Sequence, residues 1–163
     1  MGGSSESCAA TVFRAALARP RYSVAFVAAA PLPYIVAMYR LCFQRAFSAR
    51  HFLLESSGPE SMPHAHAYRI EWELQAPELD AHGYLVDLVE VEKSLGRTLA
   101  RYEGAFLNEL AEFKGSNPSL ERFVRILWER LSTDLSARTS CAVRLWENDS
   151  AWAGYEAPAH ARG

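Results

Sequence analysis

In the stretch His64-Ala65-His66-Ala67-Tyr68-Arg69-Ile70-Glu71-Trp72-Glu73-Leu74-Gln75, apolar Tyr68, Ile70, Trp72 and Leu74 alternate with polar Arg69, Glu71, Glu73 and Gln75. A period of two places the two sets on opposite faces of an extended chain, so the stretch is expected to be a half-buried β-strand. His64 and His66 share the phase of the apolar set and face the core side. Upstream, Leu41 to Leu53 repeats the pattern: Leu41, Phe43, Phe47, Ala49, His51 and Leu53 alternate with residues that include Gln44, Ser48 and Arg50. His51 therefore also lies on an apolar face. Between the two strands, Ser56-Ser57-Gly58-Pro59 has the composition of a turn.

Downstream the period changes. After the turn Pro77 to Gly83, Leu85, Leu88, Val91, Leu95 and Leu99 recur at spacings of three and four, the stripe of an amphipathic helix packed on a sheet. A second helix is expected from Asn117-Pro118, read as a cap followed by a first-turn proline, with Leu120, Phe123, Val124, Leu127 and Leu131 facing inward. Cys141 to Trp146 returns to alternation, and Glu147 continues its apolar phase ahead of the turn Asn148-Asp149-Ser150. Trp152 to Tyr155 forms a short closing strand. The order strand, strand, helix, helix, strand, strand gives an α+β domain: a four-stranded antiparallel sheet with two helices packed on one face.

Composition agrees with one such domain and excludes other classes. The chain has 163 residues, half of them hydrophobic, which suffices for a single core but not for a multidomain machine. Seventeen Lys plus Arg against nineteen Asp plus Glu leave a net charge of -2, so there is no basic field for nucleic acid. Cys8, Cys42 and Cys141 are odd in number and form no CxxC pair, which argues against a disulfide framework or a thiolate metal site and for a reducing, cytoplasmic setting. Ser23 to Tyr39 carries no charge and follows Arg14, Arg19 and Arg21 in the manner of a signal peptide or a membrane span. It is short for a crossing, and Pro31 and Pro33 break any helix through it, so residues 1–37 are expected to be a loosely ordered extension or a misassigned start, without a membrane role. The domain is placed at residues 38–158, followed by a tail at 159–163.

The chemistry gathers on the inward faces. A His-x-His pair on a strand points both imidazoles the same way, and His51 on the neighbouring strand supplies a third. Three neutral imidazoles suit Zn2+ and leave a fourth position for water or substrate, which is the arrangement of a catalytic zinc site. His82, in a turn, and His160, in the tail, lack such partners and are expected to be exposed.

Several short segments carry a family resemblance: Phe47-Ser48-Ala49-Arg50-His51, His64-Ala65-His66-Ala67-Tyr68, Asp80 to Leu88, Phe106-Leu107-Asn108, Pro118-Ser119-Leu120-Glu121, and Val143-Arg144-Leu145-Trp146-Glu147. In that order they resemble the 6-pyruvoyl-tetrahydropterin synthase and 6-carboxytetrahydropterin synthase family, members of the tunnelling fold. The resemblance implies that His51, His64 and His66 are zinc ligands. It also implies that Glu147 grips the guanidine-like edge of a pterin through paired N–H bonds, with Ser119, in place of the family's threonine, as a further substrate-binding residue. It further implies a zinc-dependent lyase acting on the side chain of 7,8-dihydroneopterin triphosphate or a related pterin, in a homo-oligomer, with a hexamer as the expected size, whose sheets join into a barrel. The alternative is a family member that binds a pterin or purine without turnover.

Two departures bear on that choice. Family enzymes carry a cysteine base shortly before the His-x-His pair, whereas Gly58 to Pro63 contains none, and Glu60 is the ionisable side chain there, hence the candidate catalytic base. Family enzymes also carry an Asp-His pair ahead of the Leu-Asn segment, where this chain has Glu103-Gly104. Ala65 replaces the glycine between the zinc histidines, a small change.

Overall fold

The computed structural model describes residues 37–157. The apolar stretch up to residue 36, the tail at 159–163 and His160 lie outside the described residues. Strand β1 spans Tyr39–His51 and β2 His64–Ala76; helix α1 spans Leu88–Ala100, β3 Ala105–Phe106, α2 Leu120–Ser132, β4 Ser140–Trp146 and β5 Trp152–Glu156. The sheet order is β3-β1-β2-β4-β5. All pairings are antiparallel except β1 with β3, where Ala49 and Arg50 pair in parallel with Ala105 and Phe106. The four strands expected from alternation are therefore present, in an α+β arrangement. The added β3 is two residues long, too short to leave a period in the sequence.

One register unites the inner face. Phe47 pairs with Tyr68, Ile70 with Leu145, Trp72 with Val143 and Leu74 with Cys141. Each of these side chains is buried, and the helices cover them with Val91, Leu95 and Leu99 from α1 and Phe123, Val124, Leu127, Trp128 and Leu131 from α2. Burial of each large apolar side chain contributes about 1.5–3 kcal/mol, which is what holds the two layers together. The Trp128 indole N–H donates to the Cys141 carbonyl at 2.9 Å, tying α2 to β4. Arg45 has the inward phase of β1, and α1 makes room for it. A Cβ on Gly96 would stand 3.2 Å from the Arg45 guanidinium, so glycine permits that approach.

Both helix starts differ from expectation. Asp87 caps α1, its carboxylate accepting the Val89 and Glu90 N–H groups, so Leu85 belongs to the preceding loop and Leu88, half exposed in the first turn, does not join the buried stripe. The cap of α2 is Ser119, whose hydroxyl accepts the Arg122 N–H, while Asn117 and Pro118 stand before the helix. The asparagine amide is engaged elsewhere, as described below. Finally, β1 ends at His51 rather than Leu53.

Candidate metal centre

Strand pairing alone brings the three histidines together. His51 ends β1 opposite His64, the first residue of β2, while Ala49 faces His66. Side chains of the inner phase then place three imidazoles at one end of the sheet, with ring centroids 4.7 Å apart for His51 and His64, 5.0 Å for His51 and His66, and 4.7 Å for His64 and His66. His51 is 2% exposed, whereas His64 and His66 keep an edge open to solvent.

Backbone carbonyls set two of the rings. Nδ1 of His51 lies 3.0 Å from the Pro118 carbonyl, and Nδ1 of His64 lies 2.7 Å from the Met62 carbonyl. A carbonyl only accepts, so each Nδ1 is the N–H donor and each Nε2 of the neutral ring is left with its lone pair. The Nε2 atoms of His51, His64 and His66 are all buried without a hydrogen-bond partner. Burial is the largest influence on the His51 pKa and lowers it from 6.5, keeping that imidazole neutral; the neighbouring His66 and His64 act in the same direction, against the Pro118 bond and Glu147.

Two carboxylates face these nitrogens. A Glu60 oxygen is 3.1 Å from Nε2 of His64, and a Glu147 oxygen is 3.3 Å from Nε2 of His66 and 3.5 Å from Nε2 of His51. At His51 and His64, where Nε2 is an acceptor, such an approach is repulsive unless a proton or a cation stands between the two. Donor atoms of His51, Glu60, His64 and His66 all lie within 4.8 Å of one another, a spread that a metal ion can bridge. Buried orphan nitrogens, fixed tautomers and opposed carboxylates fit a borderline metal with imidazole ligands.

Glu147 follows the last residue of β4 and points inward as its phase requires; the Tyr68 hydroxyl donates to its carboxylate. Burial first, and Glu147 second, push the Tyr68 pKa up, so the phenol keeps its proton. Glu60 sits in a short helical turn, Pro59–Ser61, half exposed with its carboxylate at His64. Ser119 lies one residue beyond the carbonyl that holds His51, with its hydroxyl engaged as the α2 cap.

Glu103 is not part of this centre. Its carboxylate accepts the Ser48 N–H at 3.2 Å and the Ser48 hydroxyl at 2.8 Å, and Ser48 has the outward phase of β1, opposite to Phe47, Ala49 and His51. At Gly104 the backbone has φ of 68°, a left-handed value that glycine adopts without strain. Cys42, exposed in β1, and Cys141, buried in β4, lie away from the three histidines in the pairing register. His82 is exposed, as expected, its side chain near Asp80.

Sequence reasoning missed the Pro118 and Met62 carbonyls, the Tyr68 hydroxyl, and the amides of Asn108 and Asn117. Backbone acceptors leave no side-chain signature. Asn108 lies within one of the matched segments and Asn117 reads as a helix cap, but neither carries a signal that assigns it the contact it makes.

An inward trio of histidines with opposed carboxylates, a group that could hold a metal ion, on an α+β sheet backed by two helices, is the architecture of the tunnelling fold. The family model described as 6-pyruvoyl tetrahydropterin synthase matches residues 40–158, and the chain belongs to that family. Among solved structures, the fold resembles 6-pyruvoyl tetrahydropterin synthase of Caenorhabditis elegans, with a TM-score of 0.65 and 20% identity, covering 76% of this chain and 98% of that one. It also resembles a catalytic-residue variant of the Plasmodium vivax 6-pyruvoyltetrahydropterin synthase, with a TM-score of 0.62 and 13% identity over 74% of this chain and 98% of that one. An uncharacterised protein from Wolinella succinogenes has a TM-score of 0.61 and 14% identity, over 75% and 99% of the respective chains. No curated protein matches the chain. Among the described residues, no helix is long and apolar enough to cross a membrane.

Proposed function

We propose that this protein is a zinc-dependent pterin lyase acting on the side chain of 7,8-dihydroneopterin triphosphate or a closely related pterin. The observation that carries the reading is the set of three buried Nε2 atoms without a hydrogen-bond partner, on His51, His64 and His66, converging on a gap faced by two carboxylates. His51, His64 and His66 would hold the metal. When bound, Zn2+ supplies Lewis-acid polarisation of a substrate oxygen, which makes the adjacent C–H more acidic. The other tasks fall to the chain. Glu60 takes the role of base: its carboxylate is half exposed, reaches the His64 edge, and can accept a proton from carbon and return it to a neighbouring position. A glutamate is named a catalytic residue in the P. vivax protein, through variants that replace it, so a carboxylate has a precedent in this fold. Glu147, steadied by Tyr68, has acceptor capacity left for the paired N–H groups of a pterin edge. Ser119 is proposed to contribute to the same pocket from the start of α2.

A second reading has one observation in its favour. Glu60 completes a set of four donors, and a four-coordinate site without an open position is a structural site. In that case the protein binds a pterin or purine without turnover. Zinc-loaded protein incubated with 7,8-dihydroneopterin triphosphate separates the two. The lyase reading expects side-chain cleavage by the wild type, none by Glu60→Gln, and unchanged zinc content in that variant. Loss of zinc from Glu60→Gln supports the closed site, and absence of any product from the wild type overturns the lyase.

Assembly belongs to the proposal as well. β5 and β3 are the edges of the sheet, and Tyr84, Leu88 and Val89 are exposed apolar side chains. Pairing edges between copies would satisfy their open backbone groups, giving a homo-oligomer, with a hexamer as the expected size, in a cytoplasmic setting.

A further inference from the structure

We infer that Asn108 and Asn117 are positioning residues that clamp the segment 52–54 and thereby hold Glu60 at the histidine cluster; the catalytic part of this rests on the reading of Glu60 as base. Beyond His51 the chain leaves β1, yet its backbone polar groups stay paired. The Phe52 N–H donates to Oδ1 of Asn108 at 3.0 Å, and Nδ2 of Asn108 donates back to the Phe52 carbonyl at 3.0 Å. Two residues on, the Leu54 N–H donates to Oδ1 of Asn117 at 2.6 Å, and Nδ2 of Asn117 donates to the Leu54 carbonyl at 3.0 Å. Each amide thus takes the place of a neighbouring strand residue, which offers one donor and one acceptor in the same way. An aspartate lacks the donor, and a glutamine is one methylene longer, so asparagine is the side chain that fits both bonds.

The residue between these pairs carries the restraint onward. The Leu53 N–H donates to the Glu60 carbonyl at 2.8 Å, so fixing 52 and 54 fixes the backbone from which the Glu60 carboxylate reaches His64. Just after the clamp, Glu55 has φ of 63°, a conformation that a glutamate side chain disfavours and that persists where its surroundings impose it. Asn117 is also followed by Pro118, whose carbonyl holds His51, and by Ser119, which caps α2. One tripeptide therefore sets a ligand, the base-bearing loop and the helix start.

The test uses the full-length protein and its Asn117→Ala variant. Hydrogen exchange is expected to rise about tenfold at the Leu53 and Leu54 amides while α2 stays protected. With zinc and 7,8-dihydroneopterin triphosphate, kcat is expected to fall about tenfold with KM unchanged, since the base moves and the pterin anchor does not. Asn108→Ala is expected to give the same pattern at Phe52 and Leu53, and decides the matter if the first variant does not fold. Unchanged exchange in the folded variants, or a loss confined to KM, overturns the proposal. If the wild type yields no product, the base assignment falls, and the exchange data alone decide whether the clamp exists.

Discussion

The carbonyl oxygen of Pro118 sits 3.0 Å from Nδ1 of His51, across 67 residues of chain, one position before the residue that caps α2. The start of a helix and the tautomer of a buried imidazole are thereby one structural feature. The ring turns Nε2 inward while its Nδ1 proton is held by the residue just ahead of the helix cap. A similar bond from Nδ1 of His64 to the Met62 carbonyl comes from the loop side, so the centre is braced by both layers of its surroundings.

Loss of the α2 cap should therefore be felt at the centre. Ser119→Ala is expected to lower global stability by about 1 kcal/mol, read as a shift of the urea midpoint at unchanged slope. It is also expected to weaken zinc binding several-fold, since the Pro118 carbonyl is adjacent. Equal zinc affinity in a destabilised variant would show that the cap and the ligand are uncoupled.

Acid sensitivity has a source in Glu112. Arg101 donates to Glu112 from Nε at 2.7 Å and from Nη2 at 2.6 Å, and the Arg101 bonds are the main reason that its carboxyl is held at about 2, below the ordinary 4.5. Tyr102 and Arg130 add further bonds. The folded state binds its proton less readily than the unfolded chain does. The stabilisation is therefore complete above about 4.5 and is lost as pH falls toward about 2. Glu112→Gln is expected to be about 1–2 kcal/mol less stable than wild type at pH 7 and to approach it near pH 2, by chemical denaturation at each pH. A difference independent of pH would refute the assignment.

Much of this arrangement can be read from residues. Alternation in β1 and β2 placed Phe47, Tyr68, Ile70 and Trp72 inward, and the same phase carried His51, His64 and His66 with them. Glu147 could be placed because β4 keeps its phase one residue past its end. What could not be read depends on contacts without a period. Leu88 fits the helical stripe, yet Asp87 starts the helix there and leaves it exposed. Asn117 has the chemistry of a cap, but its amide finds the Leu54 backbone, and the cap falls to Ser119. Residue types restrict the options in such places, and tertiary neighbours choose among them.

The Tyr68 hydroxyl is expected to matter to ligand binding more than to stability. Tyr68 is 1% exposed and packs on Phe47 and Phe123, contacts that phenylalanine would keep. Tyr68→Phe should cost about 1 kcal/mol in stability. Freed from its donor, the Glu147 carboxylate should hold a pterin about tenfold less tightly, by fluorescence titration with dihydroneopterin. Unaltered affinity would mean that Glu147 needs no support from Tyr68 or does not contact the pterin.

Whether His51, His64 and His66 form a metal centre is tested most directly by the zinc content of the purified full-length protein, measured beside His64→Ala. Near-stoichiometric zinc in the wild type, lost in the variant while the fold is retained, is the expected result. A wild type that takes up no zinc even when it is supplied would contradict the account and leave the three histidines as core residues of a protein that works without a metal.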